Sequence, residues 1–244
     1  VHLIIDVKSV PATWQDVQET LAIMQRVEAR DLKPDVLLMD KGYTSGEVLT
    51  WGENAEVEII GPVNEDSSWQ DKSGYGLSTF EIDWKNKKAI CPQGQQSQIW
   101  RPGQGKRGEE RVQVYFDPAV CQHCPVKMAC TKSEKGGRTL TITSEQAHTL
   151  IQKRRKEQYE KDFQEKYGQR SGVESTMSEG VRSHGMRRSR YVGLQKTQLQ
   201  MTAIAAAMNL VRIHALLVRE QAGLPSRRKR SPSPFARLHE RILA

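Results

Sequence analysis

The sequence is poor in the residues that mark a secreted or membrane-embedded chain. Aromatic residues make up 6% of it and cysteines number four, too few for the disulfide framework of a small secreted domain. The longest apolar run, Ile204 to Val218, is broken by Asn209, Arg212 and His214, so no segment is expected to span a bilayer. The first residues lack the basic region, apolar stretch and small-residue cleavage site of a secretory signal. A cytoplasmic location without a membrane partner is therefore expected. Acidic charge is also in deficit. Against 37 Lys and Arg stand 29 Asp and Glu, a formal charge of +8 and a pI near 9.3. That excess favours polyanionic partners, since each neutralised phosphate releases counterions; the alternative is merely a solvated basic surface. With 37% hydrophobic residues over 244 positions, there is material for one sizeable core, or a core plus a smaller insert.

Along the chain, Val1 to Val7 reads as a short β-branched strand, entered directly as if continued from a longer chain. Thr13 with Asp16 resembles a capping box opening an amphipathic helix to about Ala29, striped by Val17, Leu21, Met24 and Val27. Val36 to Met39 is a compact apolar strand tipped by Asp40. A short helix from Gly46 to Trp51 and a strand from Val57 to Ile60 come next. Alternating strands and helices predict an α/β sheet with parallel strands, whose working site lies beyond the carboxyl ends of those strands. Residues 1–63 are assigned to this core.

Residues 64–143 change character. They are rich in Gly, Ser, Gln and Trp and hold all four cysteines. Strand-like pieces at Phe80 to Trp84, Val112 to Phe116 and Arg138 to Thr143 predict an inserted β-rich subdomain. Helices return over 144–220: Glu145 to Tyr167, Ser171 to Ser183, and the apolar Leu194 to Val218. The Ser-, Pro- and Arg-rich stretch 221–244 predicts a basic disordered tail.

Two carboxylates stand out. Asp40 ends a buried-type strand, and Glu174 lies early in a helix one turn after Arg170. Carboxylate oxygens suit hard cations such as Mg²⁺ or Mn²⁺, and a pair of such ions serves phosphodiester cleavage and strand transfer by flanking the attacking and leaving oxygens. Each acid has a plainer reading. Asp favours turns, and Ser171-Gly172-Val173-Glu174 is also a capping box.

Taken together, Leu38-Met39-Asp40-Lys41-Gly42-Tyr43, Ile60-Gly61-Pro62-Val63, and Tyr167 with Arg170 and Glu174 resemble the DDE transposases of bacterial insertion sequences, in the IS4-like grouping. Gly180 to Leu194 and the helix around Ala205 to Leu210 are similar to the region beyond the catalytic Glu in that family. The resemblance implies an RNase H-like core, with Asp40 as the second acid of the triad, Glu174 as the third, and Tyr167 and Arg170 beside them. It implies insertion-sequence ends and target DNA as substrates, Mg²⁺ or Mn²⁺ as cofactor, a homodimer that pairs two DNA ends, and residence at the bacterial nucleoid. The family's basic residue seven positions past the Glu falls at Val181, so its role passes to Arg182. The first catalytic Asp belongs on a strand upstream of Val1 to Val7. The core is thus expected to be N-terminally incomplete, with an open edge on the Val36 to Met39 strand and an incomplete metal clamp. A non-catalytic DNA-binding remnant, or an inhibitor of intact copies, is the rival reading.

Cys91, Cys121, Cys124 and Cys130 have the makings of a structural Zn²⁺ site, with Cys121-Gln122-His123-Cys124 supplying the tight turn. His123 and His148 are substitute ligands, and unligated buried thiols are the alternative. Arg182, Arg187, Arg188, Arg190 and Lys196 crowd the segment after Glu174 and are candidates for phosphate contacts; the plainer reading is a solvated basic loop. Trp69, Trp84 and Trp100 suit either base stacking or a small core.

Overall fold

A computed structural model of the chain describes residues 2–105 and 108–224. The basic tail expected over 221–244 lies outside the described residues from position 225 onward. The chain divides into two compact units, residues 12–171 and residues 1–11 with 172–244. The boundaries expected at 63/64 and 143/144 both fall inside the first of these.

In the first unit a short 3₁₀ turn, Asp16–Glu19, leads into α1 (Thr20–Glu28), β1 (Val36–Leu38), α2 (Gly46–Asn54) and β2 (Glu58–Ile60). The expected capping box does not form: Gln15 stands at the N-cap and makes no side-chain cap. Strands β1 and β2 are parallel in the register Leu37↔Ile59, and the ladder is extended by Met39 N–H donating to the Ile60 carbonyl at 3.0 Å. Met39, Val48, Leu49, Val57, Ile59 and Val63 form the buried core here, with Leu150 and Ile151 packed against it.

Next come α3 (Trp69–Lys72), the antiparallel pair β3 (Glu81–Asp83) and β4 (Lys88–Ile90), then β5 (Ile99–Gln104) and β6 (Glu110–Tyr115). The short helices α4 (Pro118–Gln122) and α5 (Lys127–Cys130) precede β7 (Thr139–Thr143). Strands β5, β6 and β7 make an antiparallel sheet with β6 central. Its alternate residues Val114, Leu140 and Ile142 point into a second core with Phe80, Ala89 and Phe116. Pro102 is tolerated in β5 because that strand is an edge. Trp84 and Trp100 pack edge to face, ring centroids 5.5 Å apart, against this core. They are core residues and not stacking platforms.

The helix expected over 145–167 is two helices, α6 (Glu145–Glu157) and α7 (Lys161–Gly168). The break at 158–160 has a cause. Buried Gln158 turns its side chain to accept from Val63 N–H at 3.0 Å, while its own carbonyl accepts from Gln164 Nε2. One turn earlier, Arg154 donates to the carbonyls of Ile59 at 2.7 Å and Gly61 at 3.1 Å. Helix α6 is therefore tied to the carboxyl end of β2.

The second unit contains α8 (Ser171–His184) and α9 (Leu194–Gln221). Arg212 of α9 bonds Glu179 at 2.6 Å and Thr176 at 3.2 Å on α8. The expected strand Val1 to Val7 is absent. Residues 2–11 carry no ladder and instead run along α9. The Asn209 amide both donates to and accepts from the Ile4 backbone at 2.8 Å, and the Gln198 amide does the same for Val7 and Ser9. Those anchors lie eleven residues apart on the helix and five apart on the segment. Both spacings correspond to roughly 16 Å, so the segment is extended. Side-chain amides take the place of a neighbouring strand.

Helix α9 has 28 residues and an 18-residue window of mean hydropathy 1.6, of which 11% is buried. By length and composition it suffices to cross a membrane, contrary to the expectation that Asn209, Arg212 and His214 leave no such segment. Two of those polar residues serve packing within the unit, as the Ile4 and Glu179 bonds show.

Gly61 tests how tightly the sheet end is built. A Cβ there would sit 2.2 Å from buried Thr44 Oγ1 and 2.8 Å from the Met39 carbonyl. Gly61→Ala is expected to cost about 1–3 kcal/mol through overpacking. Thermal denaturation checks this; an unchanged midpoint would show that the neighbours yield freely.

Candidate active site

Asp40 follows β1 at the carboxyl end of the parallel pair. The chain turns sharply there: Tyr43 N–H donates to the Asp40 carbonyl at 2.9 Å and Thr44 Oγ1 to the same oxygen at 3.3 Å. With its backbone fixed, the carboxylate is presented to solvent with its side chain about half exposed.

Two residues from the end of α7 meet it. Arg170 Nη1 donates to Asp40 Oδ2 at 3.0 Å, and Tyr167 Oη donates to Oδ1 at 3.3 Å. These partners are held by an alternating stack of cations and rings. The Arg154 guanidinium lies 5.2 Å from the Phe163 ring centre, Phe163 stacks on Tyr167 at 6.1 Å, and Arg170 lies 5.7 Å from the Tyr167 ring. Phe163 and Tyr167, four apart on α7, share one helical face, and Arg170 follows in the turn after the helix. Lys166 pairs with Glu58 of β2 at 2.5 Å and fixes α7 from its other side. An ion pair this exposed is worth at most about 1 kcal/mol, so its role is placement.

Asp16 and Tyr43 adjoin the site, and sequence reasoning missed both. Tyr43 donates a very short hydrogen bond to Asp16 Oδ2. That bond, then burial, then the charges of Asp16 and Asp40 push the Tyr43 hydroxyl up to about 12. Tyr43 stood in the quoted motif, but nothing in the local pattern joined it to a residue 27 positions away.

Glu174 occupies the first turn of α8, exposed, in the other unit. The Ser171 side chain, on which its capping alternative depends, lies outside the described residues. Arg182, Arg187, Arg188, Arg190 and Lys196 are all exposed in the same unit as Glu174. Their loop, residues 185–193, is pinned by Gln200, which accepts from Arg190 N–H at 2.9 Å and donates to the Arg188 carbonyl at 2.8 Å. His184, Arg190, Tyr191 and Lys196 rim a cavity of about 670 Å³ floored by Leu199 and Ala203.

The four cysteines are free and partly buried, and all line one cavity of about 40 Å³. His123 is not among the residues lining that cavity, and its Nδ1 lies 2.9 Å from the Ala119 carbonyl. Nor is His148, which packs on Trp84 with centroids 5.7 Å apart and whose pKa burial lowers. Among the described residues, no group of three or more His, Cys, Asp or Glu side chains is placed to hold a metal ion.

Comparison with known proteins gives one family. A model described as "Transposase DDE domain" matches residues 90–214, just over half of the chain. No curated protein and no solved structure matches. The matched stretch contains the cysteines, Tyr167, Arg170, Glu174 and the basic loop, while Asp40 lies ahead of it.

The Tyr43 geometry sets a pH dependence. Its folded pKa is raised, so the protonated form is favoured by folding. That contribution is full below the ordinary phenol range near 10 and is lost as pH rises from there through about 12. Tyr159, bonded to Glu65, is raised as well, so ultraviolet titration should find late-ionising tyrosines, and Asp16→Asn should return one of them toward the ordinary range. No change in the titration on Asp16→Asn would refute the bond.

Proposed function

The chain belongs to the transposase DDE domain family, and from that premise we propose that it cuts and joins DNA at the ends of a bacterial insertion sequence of the IS4-like grouping. Asp40 supports this reading most: a strand-end carboxylate tied by Arg170 and Tyr167, two residues of the family-matched stretch, to the end of a parallel pair. In this reading the βαβ core is RNase H-like. Asp40 and Glu174 would hold Mg²⁺ or Mn²⁺, which suit hard carboxylate oxygens; when bound, such ions would supply Lewis-acid stabilisation of phosphodiester oxygens.

The chain's own residues do the rest. Arg170 carries a cation to the carboxylate and has donors in a planar fork, the geometry that matches a phosphate. Tyr167, stacked on Phe163, keeps Arg170 from swinging free. Arg182, Arg187, Arg188, Arg190 and Lys196 grip backbone phosphates, which sets the register of the duplex without reading its sequence. Two chains acting together would pair the two ends.

Two measurements test this. On duplexes carrying the element's ends with Mn²⁺, the parent protein should nick DNA, and Asp40→Ala or Glu174→Ala should abolish nicking while binding persists. Cleavage that survives Asp40→Ala would overturn the site. Binding without any cleavage by the parent would favour a non-catalytic DNA-binding protein. Replacing Arg187 and Arg188 by Ala should weaken binding alike for all sequences. It should also reduce the slope of log affinity on log salt by about 2; an unchanged slope would place the DNA elsewhere.

A further inference from the structure

The cysteine layer plays no part in the chemistry at Asp40, yet the fold gathers it. Cys91 sits in a tight turn after β4, where its N–H donates to the Gln95 carbonyl at 2.9 Å and its carbonyl accepts from Gly94 at 2.8 Å. Gly94 has φ +76°, a conformation that a side chain would strain. Cys121 and Cys124 flank the end of α4, joined by a 3.3 Å backbone bond, and Cys130 closes α5. Stretches some 30 residues apart thus bring four sulfurs to the wall of one cavity of about 40 Å³. That volume exceeds the roughly 10–15 Å³ needed for one water and falls far short of the roughly 300 Å³ of a small-molecule site. The space suits a single ion.

A second observation points the same way. Arg138 lines this cavity, and its Nε is buried without a hydrogen-bond partner. Its guanidinium lies 5.6 Å from the Phe80 ring, partly buried, and feels the charges of Cys130 and Asp66. A buried charged donor left unpaired costs about 1–3 kcal/mol or more, and neutral thiols are weak acceptors. Metal-bound thiolates are strong ones, and such outer partners orient the ligands they bond.

We propose that Cys91, Cys121, Cys124 and Cys130 bind one soft divalent cation of the zinc class as a tetrathiolate site, with Arg138 as its charge-balancing positioning residue. As they stand no three of these sulfurs form a ligand set. Each swings about a single side-chain torsion, and three of them lie on or beside helices of five and four residues, so binding has to draw the four sulfurs together. On binding, four S–H bonds break, four protons pass to solvent and four metal–sulfur bonds form, with no change of oxidation state. The complex carries two negative charges, which the buried guanidinium faces.

The test uses the full chain, stripped by chelator under reducing conditions and titrated with Co²⁺. The expected result is saturation at one ion per chain, with a thiolate-to-cobalt charge-transfer band in the near ultraviolet and the intense visible bands of a tetrahedral ion. Zn²⁺ should bleach both, and the ion should raise the thermal midpoint. Cys91→Ser or Cys124→Ser should lower the charge-transfer intensity, by about a quarter for each thiolate lost from a four-thiolate site. Arg138→Met, which keeps bulk and loses charge, should weaken affinity by about tenfold or more while leaving the tetrahedral spectrum. Absence of a charge-transfer band in the parent protein would overturn the site even if the cysteine variants fail to fold. So would a spectrum indifferent to Cys91→Ser. Unchanged affinity in Arg138→Met would overturn the role of Arg138.

Discussion

The arrangement around Asp40 depends on one constraint, the closing of the carboxyl end of β2 by side chains of α6. Strand β2 is bonded to β1 on one side and leaves carbonyls facing outward on the other. Unpaired, each would cost as much as a lost hydrogen bond. Arg154 covers Ile59 and Gly61, and Gln158 covers the Val63 N–H beyond them. Charge-assisted bonds to backbone are stronger than neutral ones, and Gln158 is buried where it acts. A helix that satisfies a strand end in this way cannot slide along it.

Position then passes outward by contact. Gln158 turns the chain from α6 into α7, and Arg154 carries its guanidinium on to the Phe163 ring. Phe163 fixes Tyr167, Tyr167 fixes Arg170, and Arg170 meets Asp40. Every link is weak when taken singly. Cation–π contacts at exposed sites are worth about 0.5–1 kcal/mol. Their effect is geometric, because they run from α6 across Phe163 and Tyr167 of α7 to Arg170 just beyond it. Loss of Arg154 would therefore be felt at Asp40 although the two residues do not touch.

Much of the fold was legible in the sequence for a physical reason. The strands at 36–39 and 57–60 are short apolar runs between turn residues, and the helices after 144 keep their period, so burial wrote them into composition. Val1 to Val7 misled because β-branched composition reports a fit to a pleated surface, not the identity of the partner; here the partner is Asn209 and Gln198 on a helix. The break between α6 and α7 carries no Gly or Pro. It comes from Gln158 bonding 95 positions away, which no local window contains. Nothing in the basic run Lys153-Arg154-Arg155-Lys156 marks Arg154 for a bond to a strand end. Asp40 was singled out by its place at a strand tip, whereas Asp16 and Tyr43 form their pair only through the fold.

Family likeness and geometry contribute different parts of the site. The stretch that resembles transposase domains begins at residue 90 and so contains neither β1 nor β2. It spans Tyr167, Arg170 and Glu174 but not Asp40. The bonds from Tyr167 and Arg170 to Asp40 come from the fold alone. Here a helix end is stacked, pinned at Lys166 and Arg154, and aimed so that its one guanidinium reaches the strand tip. A basic helix end that only served solubility would need none of that support. Ordering Phe163, Tyr167 and Arg170 costs side-chain entropy, and the contacts that offset it converge on the Asp40 carboxylate.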